Sequence, residues 1–318
     1  MIHTPLSACL ALIALWGLIG AAGLLRPTSL RLVGRTLFPL GALCGAALAV
    51  VAAASLTLPA EQLTLGVGLP DLPVHLRLDA LSSFFLLLLG ATSTGISVFA
   101  AGYFRRGHGT SAGLLCLQYH LFLASMGLVL LADDAYAFMV AWETMALSSY
   151  FLVTTQHSLP EIRSAGFLYL LIAHVGAIGI LLSFGVMQGG SWQFTFDAMR
   201  SAHLAAPWAA TAFLLALFGF GAKAGLVPLH VWLPEAHPAA PSPVSALMSG
   251  VMLKTAVYGV LRVSFYLLGT LQWWWGLVPL AFRLFSALYG VVFAAAQTDM
   301  KRLLAFSSIE NLGIIFTG

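Results

Sequence analysis

Charge is what this sequence has least of. Aspartate, glutamate, lysine and arginine make up 8% of its 318 residues, where an ordinary soluble domain has roughly a quarter. Hydrophobic residues make up 60%. So little polar surface cannot clothe a water-facing shell, which excludes a soluble globular protein and makes lipid the solvent. Cysteine is scarce too. Cys9, Cys44 and Cys116 all fall in apolar runs, with no spacing that would ligate a metal or an iron–sulfur cluster. They read as small buried hydrophobes. A glycine-rich dinucleotide loop is missing as well. No cofactor, no metal and no catalytic residue are therefore assigned, and nucleic acid is not an expected partner. Nor does the N-terminus carry a lysine or arginine ahead of its apolar run, as a secretory signal would; only His3 precedes it.

What the sequence does have is apolar length. A bilayer core of ~30 Å needs about 20 apolar residues per helix. Such runs occupy residues 5–25, 37–58, 79–103, 112–132, 135–156, 164–187, 207–228, 243–268 and 274–297, and a tenth begins near Leu303. The expected fold is an all-α polytopic transmembrane bundle with about nine complete spans and the start of a tenth. With the N-terminus outside, the cytoplasmic loops hold Arg26, Arg31, Arg35, Arg105, Arg106, Arg163, Lys301 and Arg302. The outer loops hold only Arg77 and Arg200, together with Glu61, Asp71, Asp79, Asp133, Asp134 and Asp197. That asymmetry follows the positive-inside rule, and gaining or losing one span would scramble it.

Two stretches are not plain spans. Residues 194–204 are too short and too polar to cross and should lie at the interface. Between Pro228 and Pro243 there are five prolines, preceded by Gly219, Gly221 and Gly225 around Lys223. No continuous helix tolerates that density of breakers. A broken seventh helix is expected, viable where it lines a cavity or packs on protein.

Ionisable residues inside the spans are the candidates for function. Glu143 lies roughly 12 Å into the fifth run, at 1.5 Å per residue. Lys223 and Lys254 sit in the seventh and eighth. Each charge costs about 2.5–3.5 kcal/mol at mid-bilayer unless it meets a partner or water. A static ion pair would serve helix contacts; a line of one glutamate and two lysines can instead hand a proton along, since burial and opposite charge pull on protonation in opposite directions. The uncompensated second lysine favours the relay. His174, mid-span, is either a further relay group or simply bonded to a carbonyl, and for His120 the carbonyl bond is the better reading. His230, one to two turns beyond Lys223, is a relay candidate, whereas Glu235 and His237 should cap or pin the break. Asp133 and Asp134 are either solvated loop acids or the rim of a channel mouth. Trp273, Trp274 and Trp275 read as an interfacial aromatic belt.

Three stretches carry a resemblance: AWETMALSSYFLV (141–153), KAGLVPLHVWLPEAHPAAPSPVSALMSGVMLKTAVYGVLR (223–262) and DMKRLLAFSSIENLGI (299–314). From about residue 75 onward the chain resembles the antiporter-like proton-conducting membrane subunits shared by NADH:quinone oxidoreductase, multisubunit cation/proton antiporters and membrane-bound hydrogenases. It is most similar to the hydrogenase-4 and formate hydrogenlyase branch. The resemblance implies that Glu143 matches the family's glutamate on the fifth helix, Lys223 the lysine of the broken seventh and Lys254 the lysine of the eighth. It implies a single membrane domain, 1–318, with N-terminal helices in 1–110, a five-helix antiporter-like unit in 111–270 and the start of a second, inverted unit in 271–318. Since the family's second unit continues beyond the point reached at Gly318, a fragment or a prematurely ended reading frame is expected. The implied function is proton translocation, as a non-catalytic subunit of a redox-driven oxidoreductase complex in the cell inner membrane. The implied partners are other membrane subunits, peripheral redox subunits, the bilayer and protons, with sodium not distinguished. Rivals are a subunit of a cation/proton antiporter or of NADH:quinone oxidoreductase, a non-conducting membrane scaffold, and a haem anchor using His120 and His174.

Overall fold

The computed structural model describes residues 4–70, 72–107, 109–269 and 272–315; His3 and Asp71 lie outside them. Helices occupy all nine expected runs: α1 (Pro5–Ala22), α2 (Leu30–Ser55), α3 (Ala80–Tyr103), α4 (Ala112–Leu131), α5 (Ala135–Val153), α6 (Pro160–Met187), α7 (Ala206–Ala224), α8 (Ser242–Leu267) and α9 (Leu277–Ala295). The tenth, α10, runs over Met300–Ile315. Among the described residues, eight helices are long and apolar enough to span a bilayer. The expected fifth span, α5, is not one of them. It is a regular helix of 19 residues, but Glu143, Thr144, Ser148 and Ser149 dilute its apolar character.

The all-α expectation needs one amendment. The loop after α2 is a β-hairpin, β1 (Glu61–Leu69) and β2 (Leu72–Leu78), antiparallel with Glu61 opposite Leu78 and Leu65 opposite Val74. Its signal was in the sequence: Leu63, Leu65 and Val67 alternate with Gln62, Thr64 and Gly66, the period of a strand.

Asp133 and Asp134 are not solvated acids; both are buried and hold this hairpin. Arg77 Nε donates to Asp133 Oδ1 at 2.8 Å and Gln62 Nε2 to Asp133 Oδ2 at 3.2 Å. The His75 backbone N–H donates to Asp134 Oδ2 at 2.7 Å, and the Asp133 N–H returns a bond to the His75 carbonyl at 2.9 Å. Asp134 Oδ1 also caps α5, accepting from the Ala137 N–H at 2.6 Å. Asp79 caps α3 in the same way. Glu61 Oε2 accepts the Leu6 N–H at 2.9 Å, so the start of α1 is tied to the hairpin as well. The starts of α1, α3 and α5 thus share one end with the hairpin. At the opposite end the Gly113 N–H donates to the Pro27 carbonyl at 2.8 Å and Thr110 Oγ1 to the Thr155 carbonyl at 3.0 Å. The helices of this region alternate in direction as the loop charges require.

The chain packs as two compact units: Met1–Arg163 with Ala240–Met252, and Ser164–Ala239 with Leu253–Gly318. In the first, Trp16 is fully buried and its indole donates to the Gly41 carbonyl at 3.0 Å. In the second, α6 and α7 approach closely through glycine. A Cβ on Gly176 would lie 2.9 Å from the Gly219 carbonyl oxygen, the small-residue packing by which helices associate in lipid. The expected interfacial stretch forms a short helix, Phe196–Ser201, capped by Thr195. The aromatic-belt reading fits Trp273, which is exposed, but not Trp275. That ring is buried and stacked on Phe213 with centroids 4.6 Å apart.

Candidate functional site

The break in the seventh span is real and locally encoded. α7 stops at Ala224 because Gly225 takes the left-handed conformation, φ +77°, which a side chain disfavours. The Leu226 N–H then reaches back to the Gly221 carbonyl at 2.9 Å, the six-to-one bond of a glycine-terminated helix. Beyond the break come a 3₁₀ turn, Leu229–Trp232, and a short helix, Leu233–Ala239.

Interrupting a helix in lipid leaves backbone groups that water cannot satisfy. Two side chains satisfy them here. Ser286 Oγ of α9 accepts the Val227 N–H at 3.0 Å, and the Trp232 indole donates to the Ala222 carbonyl at 2.9 Å. The interruption is therefore held by protein from both sides.

Lys223 sits in the last turn of α7, just inside the break, and is 2% exposed. The free carbonyls of a helix C-terminus favour a cation there. Its ammonium donates to Tyr169 Oη at 2.7 Å and lies 4.9 Å from the centroid of the same ring. Tyr169, on α6, packs in turn against Trp232 with centroids 4.9 Å apart. The Gly176–Gly219 crossing lets the two helices come near enough for the lysine and the phenol to meet. A hydroxyl and a π-face thus restrain the buried ammonium at the helix end.

The other candidates fall as follows. Lys254, on α8, is half-buried just after a π-helical stretch, Met248–Met252. Lys301 Nζ donates to the Pro238 carbonyl at 3.3 Å. His230 is buried in the 3₁₀ turn, its ring edge-on to Tyr289 at 4.6 Å. Glu235 pins the segment after the break by pairing with Arg302, whose Nε also donates to the Pro234 carbonyl at 3.4 Å. His174 Nδ1 lies 2.8 Å from the Leu170 carbonyl, and the ring is exposed on the flank of α6. Glu143 is half-buried in the middle of α5.

Residues 132–318, which include the break and all the candidate lysines, match the family described as "NADH:quinone oxidoreductase/Mrp antiporter, TM". The chain belongs to that family. Its curated relatives include hydrogenase-4 component B of Escherichia coli, 45% identical over 242 residues, which are 76% of this chain and 36% of that protein. Formate hydrogenlyase subunit 3 of the same organism is 28% identical over 269 residues, 84% of this chain and 42% of that one. Among solved structures, the Mrp complex of Dietzia sp. superposes with a TM-score of 0.80 at 26% identity, covering 98% of this chain and 33% of the other. The chain spans about two fifths of the length of the curated relatives it matches.

For this antiporter-family member, sequence reading missed two features. One is Tyr169, which gave no signal because a tyrosine in a span reads as packing. The other is Arg262, 3% exposed near the end of α8. Its guanidinium lies 5.1 Å from both the Tyr258 and Tyr266 rings and donates to Tyr258 Oη at 3.1 and 3.2 Å. A tyrosine four residues before and after an arginine on a helix is a legible signal. The haem-anchor rival fails on geometry. His120 is fully enclosed, its Nδ1 is 2.9 Å from the Cys116 carbonyl, and a single Cβ on Gly41 would run into its Nε2. No porphyrin fits where a methyl group does not.

Proposed function

We propose that this chain is a proton-translocating membrane subunit of a redox-driven complex of the hydrogenase-4 or formate hydrogenlyase type, resident in the cell inner membrane. Protons move along a relay in which Glu143, Lys223 and Lys254 are the principal groups, with His230 and His174 as secondary ones. The observation that carries this reading is the setting of Lys223: a buried ammonium at the end of a broken helix, bonded to a neutral tyrosine. A lysine buried in lipid at a helix end is costly unless it serves a function, and the hydroxyl of Tyr169 gives its ammonium a hydrogen-bond partner along which a proton can pass. In this reading residues 111–270 form the five-helix conducting unit and residues 271–318 begin a second. Redox chemistry belongs to partner subunits, both membrane-embedded and peripheral.

A second reading, a subunit of a cation/proton antiporter, is suggested by the 26% identity with the Mrp complex. Both readings are tested in the assembled complex reconstituted into vesicles, by following proton uptake with a pH-sensitive dye. Redox-driven uptake that is lost in Glu143→Gln and Lys223→Ala supports the first. Uptake driven by a sodium gradient without redox substrate supports the second. Native pumping by both variants would exclude the relay.

A further inference from the structure

A second polar site lies in the first unit, away from the relay residues. A cavity of about 570 Å³ opens where the loop before α4, the end of α5 and the start of α6 converge. Its polar lining includes Ser111, Gln118, Thr154, Thr155, His157 and Arg163, and its walls are apolar, formed in part by Leu114 and Phe151. The site is built rather than incidental. Thr110 Oγ1 fastens the loop to the Thr155 carbonyl at 3.0 Å, and Gly109, at φ +65°, passes so close that a Cβ would lie 2.5 Å from that oxygen. Arg163 is anchored at the rim by two bonds from Nη1, to the His157 carbonyl at 2.8 Å and the Ser158 carbonyl at 3.0 Å. A guanidinium carries five N–H donors, so the rest remain for a ligand. Thr155 is 2% exposed and among the described residues its hydroxyl has no hydrogen-bond partner, which is costly in a folded protein unless something else supplies the bond.

A hydroxyl in want of an acceptor, further hydroxyl and amide donors and an arginine at the mouth all suit one chemistry, a phosphate group. The apolar walls suit acyl chains beside it. The cavity lies at the helix ends that the loop charges assign to the cytoplasm, where the leaflet is rich in anionic lipid. We propose that this cavity binds a phosphate group, presented as the headgroup of an anionic phospholipid.

The test uses the intact protein in phosphatidylcholine vesicles carrying a minority of spin-labelled phosphatidylglycerol, with the immobilised lipid fraction read by electron paramagnetic resonance. The wild type should immobilise the anionic lipid in preference to spin-labelled phosphatidylcholine. Arg163→Gln and Thr155→Val should each weaken that preference about tenfold, since each removes a bond to a charged group. Thr155→Ser, which keeps the hydroxyl, should behave as wild type and separates loss of the donor from loss of the fold. If millimolar inorganic phosphate displaces the lipid, the phosphate chemistry stands and free phosphate is its source; if it does not, the lipid is the source. Equal immobilisation of the two lipids, or wild-type binding by Arg163→Gln and Thr155→Val, overturns the proposal.

Discussion

At the scale of single residues, Lys223 and Tyr169 carry the sharpest predictions. Arginine keeps a positive charge but effectively cannot release its proton. In vesicles containing the assembled complex, Lys223→Arg should therefore abolish pumping while leaving the fold intact. Pumping at the native rate would make the lysine a static charge. Tyr169→Phe removes the hydroxyl 2.7 Å from the ammonium but keeps the ring and its contact with Trp232. If the hydroxyl poises the ammonium, the variant should slow proton transfer roughly tenfold, the worth of one hydrogen bond to a charged group. Unchanged transfer would reduce the tyrosine to packing. The Arg77–Asp133 pair makes a prediction of a different kind, about stability. Both side chains are largely buried, at 11% and 7% exposure, so removing the carboxylate takes away the acceptor of the Arg77 Nε bond. Asp133→Ala should cost about 3–5 kcal/mol, seen as a lower thermal unfolding midpoint. The double variant Asp133→Ala with Arg77→Leu should recover part of that loss.

At the scale of elements, the interruption of the seventh span is the feature on which the site depends. Gly225 ends α7 in the left-handed region, and a Cβ there would collide with Leu233. Gly225→Ala should therefore destabilise by about 1–2 kcal/mol from backbone conformation alone, with the collision added. Ser286→Ala leaves the Val227 N–H buried without its acceptor, at a cost of about 1–3 kcal/mol. Thermal unfolding in detergent measures both. If both variants melt with the wild type, glycine and serine do not hold the break. Proton transfer in the same variants then shows whether the position of Lys223 depends on that hold.

At the scale of the whole molecule, the testable property is topology. The hairpin and the loop between α3 and α4 lie at opposite ends of the first unit, and the three native cysteines are buried. Val67→Cys, exposed near the end of β1, and Arg105→Cys, after α3, give clean labelling sites. In right-side-out vesicles an impermeant maleimide should label position 67 and leave position 105 unlabelled. Equal labelling of both would refute the arrangement of spans derived from the loop charges.

Composition and run length by themselves determined the solvent and the approximate number of spans, because a lipid core admits only long apolar helices. The break was legible for an equally local reason. Glycine and proline act on their own backbone, so Gly225 and the prolines after it announce where α7 must stop. The candidate lysines were legible as charges where charge is costly. What answers them was not. Tyr169 is 54 residues from Lys223 in the chain, and only the close crossing of α6 and α7 at Gly176 and Gly219 brings its hydroxyl to the ammonium. Asp133 and Asp134 looked like loop acids because nothing local shows that a hairpin more than fifty residues earlier folds back onto them. A side chain's type is written in the sequence, but its partner is chosen by packing between distant segments, and in a medium without water that partner decides what a charge can do.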